Sequence, residues 1–133
     1  TEDYDRIQAD MDGCREDGAD VVICYLHWGN EYEQKVNTQQ EEIAQELANR
    51  GADVIFASHP HVLQKIDVLT SEESGQKVPV FYSLGNFISN QKEVPRMLGG
   101  MAKVRIIQTP QTVRRMTVTR QLYRQRICLA TGC

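Results

Sequence analysis

The chain contains three histidines, His27, His59 and His61, and each lies just past the end of an apolar run. Val21–Leu26 runs into His27-Trp28-Gly29, and Val54–Ala57 runs through Ser58 into His59-Pro60-His61. Neutral imidazole is a common ligand for transition metals. Two histidines one residue apart on a loop can turn into a single site, and three can form a catalytic zinc centre by themselves. A two-metal hydrolytic centre also needs bridging carboxylates. Glu31, four residues past His27, is the nearest carboxylate expected to face such a site, whereas Glu33 reads as part of a solvated loop. Trp28, the one tryptophan, is either a core anchor or a stacking surface for a ligand. Asn86 follows Gly85 at the end of a third apolar run, Val78–Leu84, and reads either as a hydrogen-bonding site residue or as a turn residue.

Placing these side chains together requires the runs to be neighbouring strands. Residues from about Asp3 to Asp17 read as a helix, with Ile7, Met11 and Cys14 on one stripe and Gly18 just past its end. A second helix starts at the N-cap candidate Thr38, with Glu41 completing a capping box. It carries Ile43, Ala44, Leu47 and Ala48 inward and stops at Gly51. Strand, helix, strand in this order is a βαβ unit with parallel strands and a right-handed crossover. Both strands lack polar alternation, which implies cover on both faces. The triplet Gly-Ala-Asp precedes each of them, at 18–20 and 51–53. All three histidines then fall at the carboxyl edge of a parallel pair, where open α/β sheets bind ligands.

Beyond His61 the pattern changes. Val62–Leu69 and Val78–Leu84 read as a hairpin, residues 91–100 as an irregular loop, and Lys103–Gln108 and Val113–Tyr123 as two further strands. No linker divides the chain into domains.

A length of 133 residues and a hydrophobic fraction of 41% suit one globular domain. No apolar run is long enough to cross a bilayer. The net charge of −3 conceals an asymmetry: all 18 acidic residues lie at or before Glu93, and the stretch after it carries eight bases and no acid. That stretch either compensates the acidic body or attracts an anionic partner. An acidic chain with no aromatic-interleaved basic run excludes nucleic acid as an expected partner. Cys14, Cys24, Cys128 and Cys133 contain no C-x-x-C, which argues against a zinc ribbon. Cys24 sits in an apolar run and reads as a buried small hydrophobe. No nucleophile elbow, Walker loop or dinucleotide fingerprint is present.

Three ordered blocks resemble one family. Asp20 through Gly29 with Glu31-Tyr32, then Gly51 through Gln64, and then Phe81-Tyr82-Ser83-Leu84-Gly85-Asn86-Phe87 are similar to the corresponding segments of CapA-type proteins of poly-γ-glutamate capsule biosynthesis. The likeness covers about residues 3–91. Ser58 stands where that family more usually has glycine or another small residue.

The family is in turn similar to calcineurin-like metallophosphoesterases, whose fold is a four-layer α/β/β/α sandwich. The resemblance implies that the chain is the C-terminal half of one such α/β domain, without the upstream aspartate and Asn-x-His blocks. It implies His27, His59 and His61 as ligands of divalent metal ions (Mn, Zn or Fe), with His27, His59 and Glu31 in catalysis and Trp28 and Asn86 in substrate contact. It further implies an extracytoplasmic, cell-surface bacterial setting, with membrane association only through segments outside these residues. The expected partners are the N-terminal half of the same domain and an anionic polymer or its precursor. Two other functions fit the same residues: a phosphoesterase acting on another substrate, and a non-catalytic module that binds an anionic polymer or sugar. Without the bridging carboxylates, the isolated chain is expected to take up metal poorly and to be inactive.

Overall fold

The computed structural model describes the backbone of residues 3–107 and 115–124 and the side chains of residues 3–106. Helix α1, Tyr4–Glu16, is capped by Asp3, whose carboxylate accepts from the backbone N–H of Arg6 at 3.1 Å. Asp5 in its first turn and Arg15 in its last complement the helix dipole. Helix α2 spans Thr38–Asn49. Its N-cap is Asn37, and a capping box joins Asn37 to Gln40, one residue earlier than the Thr38–Glu41 pairing expected from the sequence. Asparagine and glutamine satisfy the same two donors, and the extended backbone of Asn37 (φ −92°, ψ 166°) marks the turn into the helix.

The strands are β1 (Ile23–His27), β2 (Val54–Ser58), β3 (Ile66–Thr70) and β4 (Lys77–Phe81), forming one mixed sheet in the order β1-β2-β4-β3. β1 and β4 run parallel to β2, and β3 is antiparallel to β4, so the βαβ unit and the hairpin both form. Residues 91–100 are more ordered than the sequence suggests. They include a 3-10 turn at Val94–Met97, and β5 begins at Leu98. β5 (Leu98–Ile107) and β6 (Arg115–Arg124) make a separate antiparallel ribbon. It meets the main sheet where the N–H of Gly100 donates to the carbonyl of Leu84 at 2.7 Å. Gly85 is required at that crossing: φ is +69°, and a Cβ there would lie 2.5 Å from the carbonyl oxygen of Leu98.

Registration gives the sheet two unlike faces. Ile55, Ala57, Val78, Val80 and Tyr82 pack with Met11 of α1 and Ile43, Ala44, Leu47 and Ala48 of α2 in a single core, flanked by Cys24, Leu26 and Leu69. The opposite face carries Ile23, Tyr25 and His27 of β1 and Val68 of β3. Ile23 is 54% exposed, Tyr25 71% and Val68 50%, so the sheet is open at both flanks of this face. The helices thus cover one side of strands whose composition calls for cover on both. The result is a mixed α/β architecture, a partial α/β sandwich. Among the described residues, no helix is long and apolar enough to cross a membrane. Cys128, Cys133 and the arginines from Arg114 onward fall outside the described side chains.

Candidate functional site at the carboxyl edge of the sheet

The carboxyl ends of β1 and β2 carry all three histidines. The His27 and His59 rings lie 4.4 Å apart between centroids, and those of His59 and His61 lie 6.2 Å apart. His27 is exposed, and His59 and His61 are half-buried. Their backbones are unusual: φ is +104° at His59 and +57° at His61. Tyr32, at +66°, is the remaining positive-φ non-glycine residue among the described residues. Left-handed backbone costs a non-glycine residue of order 1–3 kcal/mol, and it persists where the surroundings enforce it, commonly at binding sites.

Glu31 completes a compact donor set. One ligand atom each from Glu31, His59 and His61 lie within 4.8 Å of one another, the one such cluster among the described residues. This trio differs from the three-histidine set expected from the sequence, because His27 stands beside it and Glu31 takes its place. The reason lies in strand geometry. His27 continues the two-residue alternation of Ile23 and Tyr25 and shares their open face. His59 and His61 lie past the end of β2, where positive φ turns the chain off that alternation.

The orientation of His61 follows from its neighbour. The Asn86 amide nitrogen donates to the carbonyls of His61 (3.2 Å) and Arg96 (3.0 Å). This leaves Asn86 Oδ1 facing His61 Nδ1 at 2.8 Å, so Nδ1 carries the proton and donates. In the neutral imidazole this leaves the lone pair on Nε2, the arrangement by which a hydrogen-bonded partner fixes a metal-ligating imidazole. Asn86, expected to contact substrate, is thus the residue that holds His61.

The loop bearing Glu31 is held from below by buried amides. Gln40 Nε2 donates to Gln64 Oε1 at 3.0 Å, and Gln64 Nε2 donates to the carbonyl of Glu33 at 2.9 Å. Gly29 (φ +80°) lets the chain pass over this pair, since a Cβ there would lie 2.8 Å from Gln40 Nε2. The N–H of Tyr32 bonds to the carbonyl of Pro60 at 2.7 Å, linking the loop to the His-Pro-His turn. Glu33 is exposed and accepts from Asn30. Trp28 is buried: its indole N–H donates to the carbonyl of Tyr82 at 3.0 Å and its ring stacks on Tyr82. The core-anchor alternative is the one this placement fits, and Trp28 presents no open surface to a ligand.

Two further residues frame the site. The guanidinium carbon of Arg96 lies 3.6 Å from the centre of the Tyr32 ring, and the Tyr32 ring lies 6.0 Å from that of His61. Neither stood out from spacing, because the 64 positions between them are closed only by the fold.

Residues 1–91 match the family described as bacterial capsule synthesis protein PGA_cap. A stretch of 73 residues is 44% identical to the capsule biosynthesis protein CapA of Bacillus anthracis, covering 55% of this chain and 16% of that protein. The same length is 41% identical to the PGA biosynthesis protein CapA of Bacillus subtilis (strain 168), covering 18% of it. The matched stretch thus spans less than a fifth of either relative. The match over residues 1–91 takes in both strand-end histidine loops and Asn86, and by it the chain belongs to the bacterial capsule synthesis protein family.

Proposed function

We propose that this chain is part of a CapA-type protein that acts at the bacterial cell surface in the biosynthesis or assembly of poly-γ-glutamate capsule, through a metallophosphoesterase-like site. The observation that carries the site is the convergence of Glu31, His59 and His61 donor atoms within 4.8 Å on a strained backbone. Two imidazoles and a carboxylate form a ligand set known from catalytic zinc centres, and the spacing needs only a small inward movement to close on one ion. Zinc, manganese and iron all suit such a set. A divalent ion held there would polarise a phosphoryl oxygen and lower the pKa of a bound water.

The chain's own residues have separate tasks in this reading. Asn86 orients the His61 ring so that Nε2 would be free to hold the ion, and Gln64 holds the loop that carries Glu31. His27, its ring tilted against that of His59 and exposed, would stand at the solvent side of the cluster. A second ion and its bridging carboxylates would come from the N-terminal half of the same domain. The exposed Ile23, Tyr25 and Val68 support this, since a second layer packed on that face would bury them.

The test is equilibrium dialysis of the chain against zinc or manganese. One weak site is expected, with affinity at least ten-fold lower in His59→Ala and in His61→Ala. Uptake that is the same in both variants as in the parent would overturn the metal reading. Binding of an anionic polymer without metal dependence would instead favour the non-catalytic module.

A further inference from the structure

Arg96 is the half-buried cation nearest the site that the metal reading leaves without a task. Its carbonyl accepts from Asn86, the residue that orients His61. Its guanidinium is stacked on Tyr32, and Tyr32 in turn neighbours His61. The guanidinium therefore lies no farther from the His61 imidazole than those two short steps together. Tyr32 is itself held at positive φ and bonded to the Pro60 carbonyl, so the stacking platform is fixed to the His-Pro-His turn. The ion pair of Arg96 with Glu93 is long, 3.4 Å, and Glu93 is mostly exposed. Water screens such a pair, and it is easily exchanged for another anion.

A guanidinium stacked on an aromatic face is pre-ordered, while its donors remain in the ring-parallel plane. That plane matches the two oxygens of a carboxylate or phosphoryl group. Stacking also reduces the side-chain freedom lost on binding.

We propose that Arg96, ordered by Tyr32, binds an anionic group of the ligand beside the Glu31/His59/His61 cluster, and so selects for substrates carrying a carboxylate or a phosphoryl oxyanion. The inference deepens the metal-site reading and rests on it for the position of the reacting group. In this arrangement Glu31, His59 and His61 would hold the ion that polarises the reacting group, and the Arg96 fork would hold an anionic group of the same ligand.

The test measures two quantities on the same 133-residue chain. Affinity for inorganic phosphate and for a γ-linked glutamate trimer is determined by calorimetry, with manganese present and absent, and zinc uptake is determined separately. Phosphate bound in preference to the trimer identifies a phosphoryl ligand, and the reverse identifies a carboxylate. Arg96→Gln is expected to weaken the preferred probe about ten-fold while leaving zinc uptake unchanged. Arg96→Lys keeps the charge but not the planar fork, so it should recover only part of the affinity. Tyr32→Leu should reproduce part of the loss with the arginine intact. If Arg96→Gln fails to fold, the lysine variant decides: full parental affinity there overturns the proposal. So does parental affinity in Arg96→Gln, or failure of both probes to bind the parent. A parent that takes up no zinc but loses its anion in Arg96→Gln refutes the metal reading and leaves the arginine assignment standing.

Discussion

The two ends of the parallel strands are built by opposite rules. At the amino edge, Asp53 is fully buried and its carboxylate is saturated. It accepts from the backbone N–H of Val22 at 2.8 Å, from Gln76 Nε2 at 2.7 Å and from Arg15 at 3.4 Å. Arg15 also donates to the Gly51 carbonyl at 2.5 Å. One side chain thereby ties α1, β1, β2 and the turn before β4. The non-glycine residues there keep negative φ, and only glycine, at Gly18, Gly51 and Gly75, takes the left-handed turns. At the carboxyl edge positive angles fall on Gly29 and Gly85 but also on the non-glycine residues His59, His61 and Tyr32, and the polar groups stay partly open to solvent. One edge spends its polar groups on holding the fold together. The other is held in a costly conformation with its groups turned outward, which is how a binding edge is recognised.

The largest expected effect tests the amino edge. Asp53→Ala strips the buried N–H of Val22, Gln76 Nε2 and the Arg15 guanidinium of their acceptor. Removing one partner from a buried charged network costs about 3–5 kcal/mol. Because Arg15 is partly exposed, a loss of about 3 kcal/mol in urea unfolding is expected. A loss no greater than that of a carboxyl-edge variant would break the comparison.

The Gly-Ala-Asp repeat shows where the sequence stops being legible. It correctly marked two helix-to-strand turns, and the strand types and hairpin were readable from local chemistry, while the capping box of α2 forms one residue before the pair the sequence suggested. Yet the two aspartates differ wholly: Asp53 is buried, and Asp20 is exposed. Strand position decides this, because Asp53 leads into an interior strand and Asp20 precedes the edge strand β1. The same limit applies at the site. The histidines announced themselves by type and by their place at strand ends. Asn86 holding His61, Gln64 holding the Glu31 loop and Arg96 stacking on Tyr32 join residues 25, 31 and 64 positions apart. Only the sheet order closes those distances.

The next effect in size crosses from stability to binding. Gln64 is buried and links Gln40 to the Glu33 carbonyl. Gln64→Ala takes away the acceptor of Gln40 Nε2 and the donor to the Glu33 carbonyl, at a cost of about 2 kcal/mol. Because the loop it holds carries Glu31, zinc affinity should also fall, by about ten-fold. Loss of stability with zinc affinity intact would detach that loop from the site.

A smaller effect isolates the strain. Alanine and glycine both remove the His59 ligand, but only glycine is at ease at φ +104°. His59→Gly should therefore be more stable than His59→Ala by about 1 kcal/mol, with zinc uptake equally reduced in both. Equal stability would show that the carboxyl edge stores no strain and would weaken the contrast with the amino edge.

The smallest effect reads the interior between the two edges. Cys24 lies within β1, half-buried, and burial pushes its thiol pKa up. Cys14 is exposed. The thiolate is the reactive form, so Cys24 should label more slowly than Cys14 at neutral pH, as resolved by peptide mass mapping. The sign of the pH dependence follows from the same shift. Above the ordinary thiol pKa of 9.0 the unfolded chain loses this proton before the folded one does. Folding stability from Cys24 is thus complete below that value and declines as pH rises toward the raised folded value. Local opening at the amino edge frees β1 from Val22 onward, so Asp53→Ala should speed Cys24 labelling at neutral pH. His59→Gly acts beyond the other end of the neighbouring strand and should leave the rate unchanged. Acceleration by both variants alike would mean that the two edges open as one unit and that the division of labour between them is only apparent.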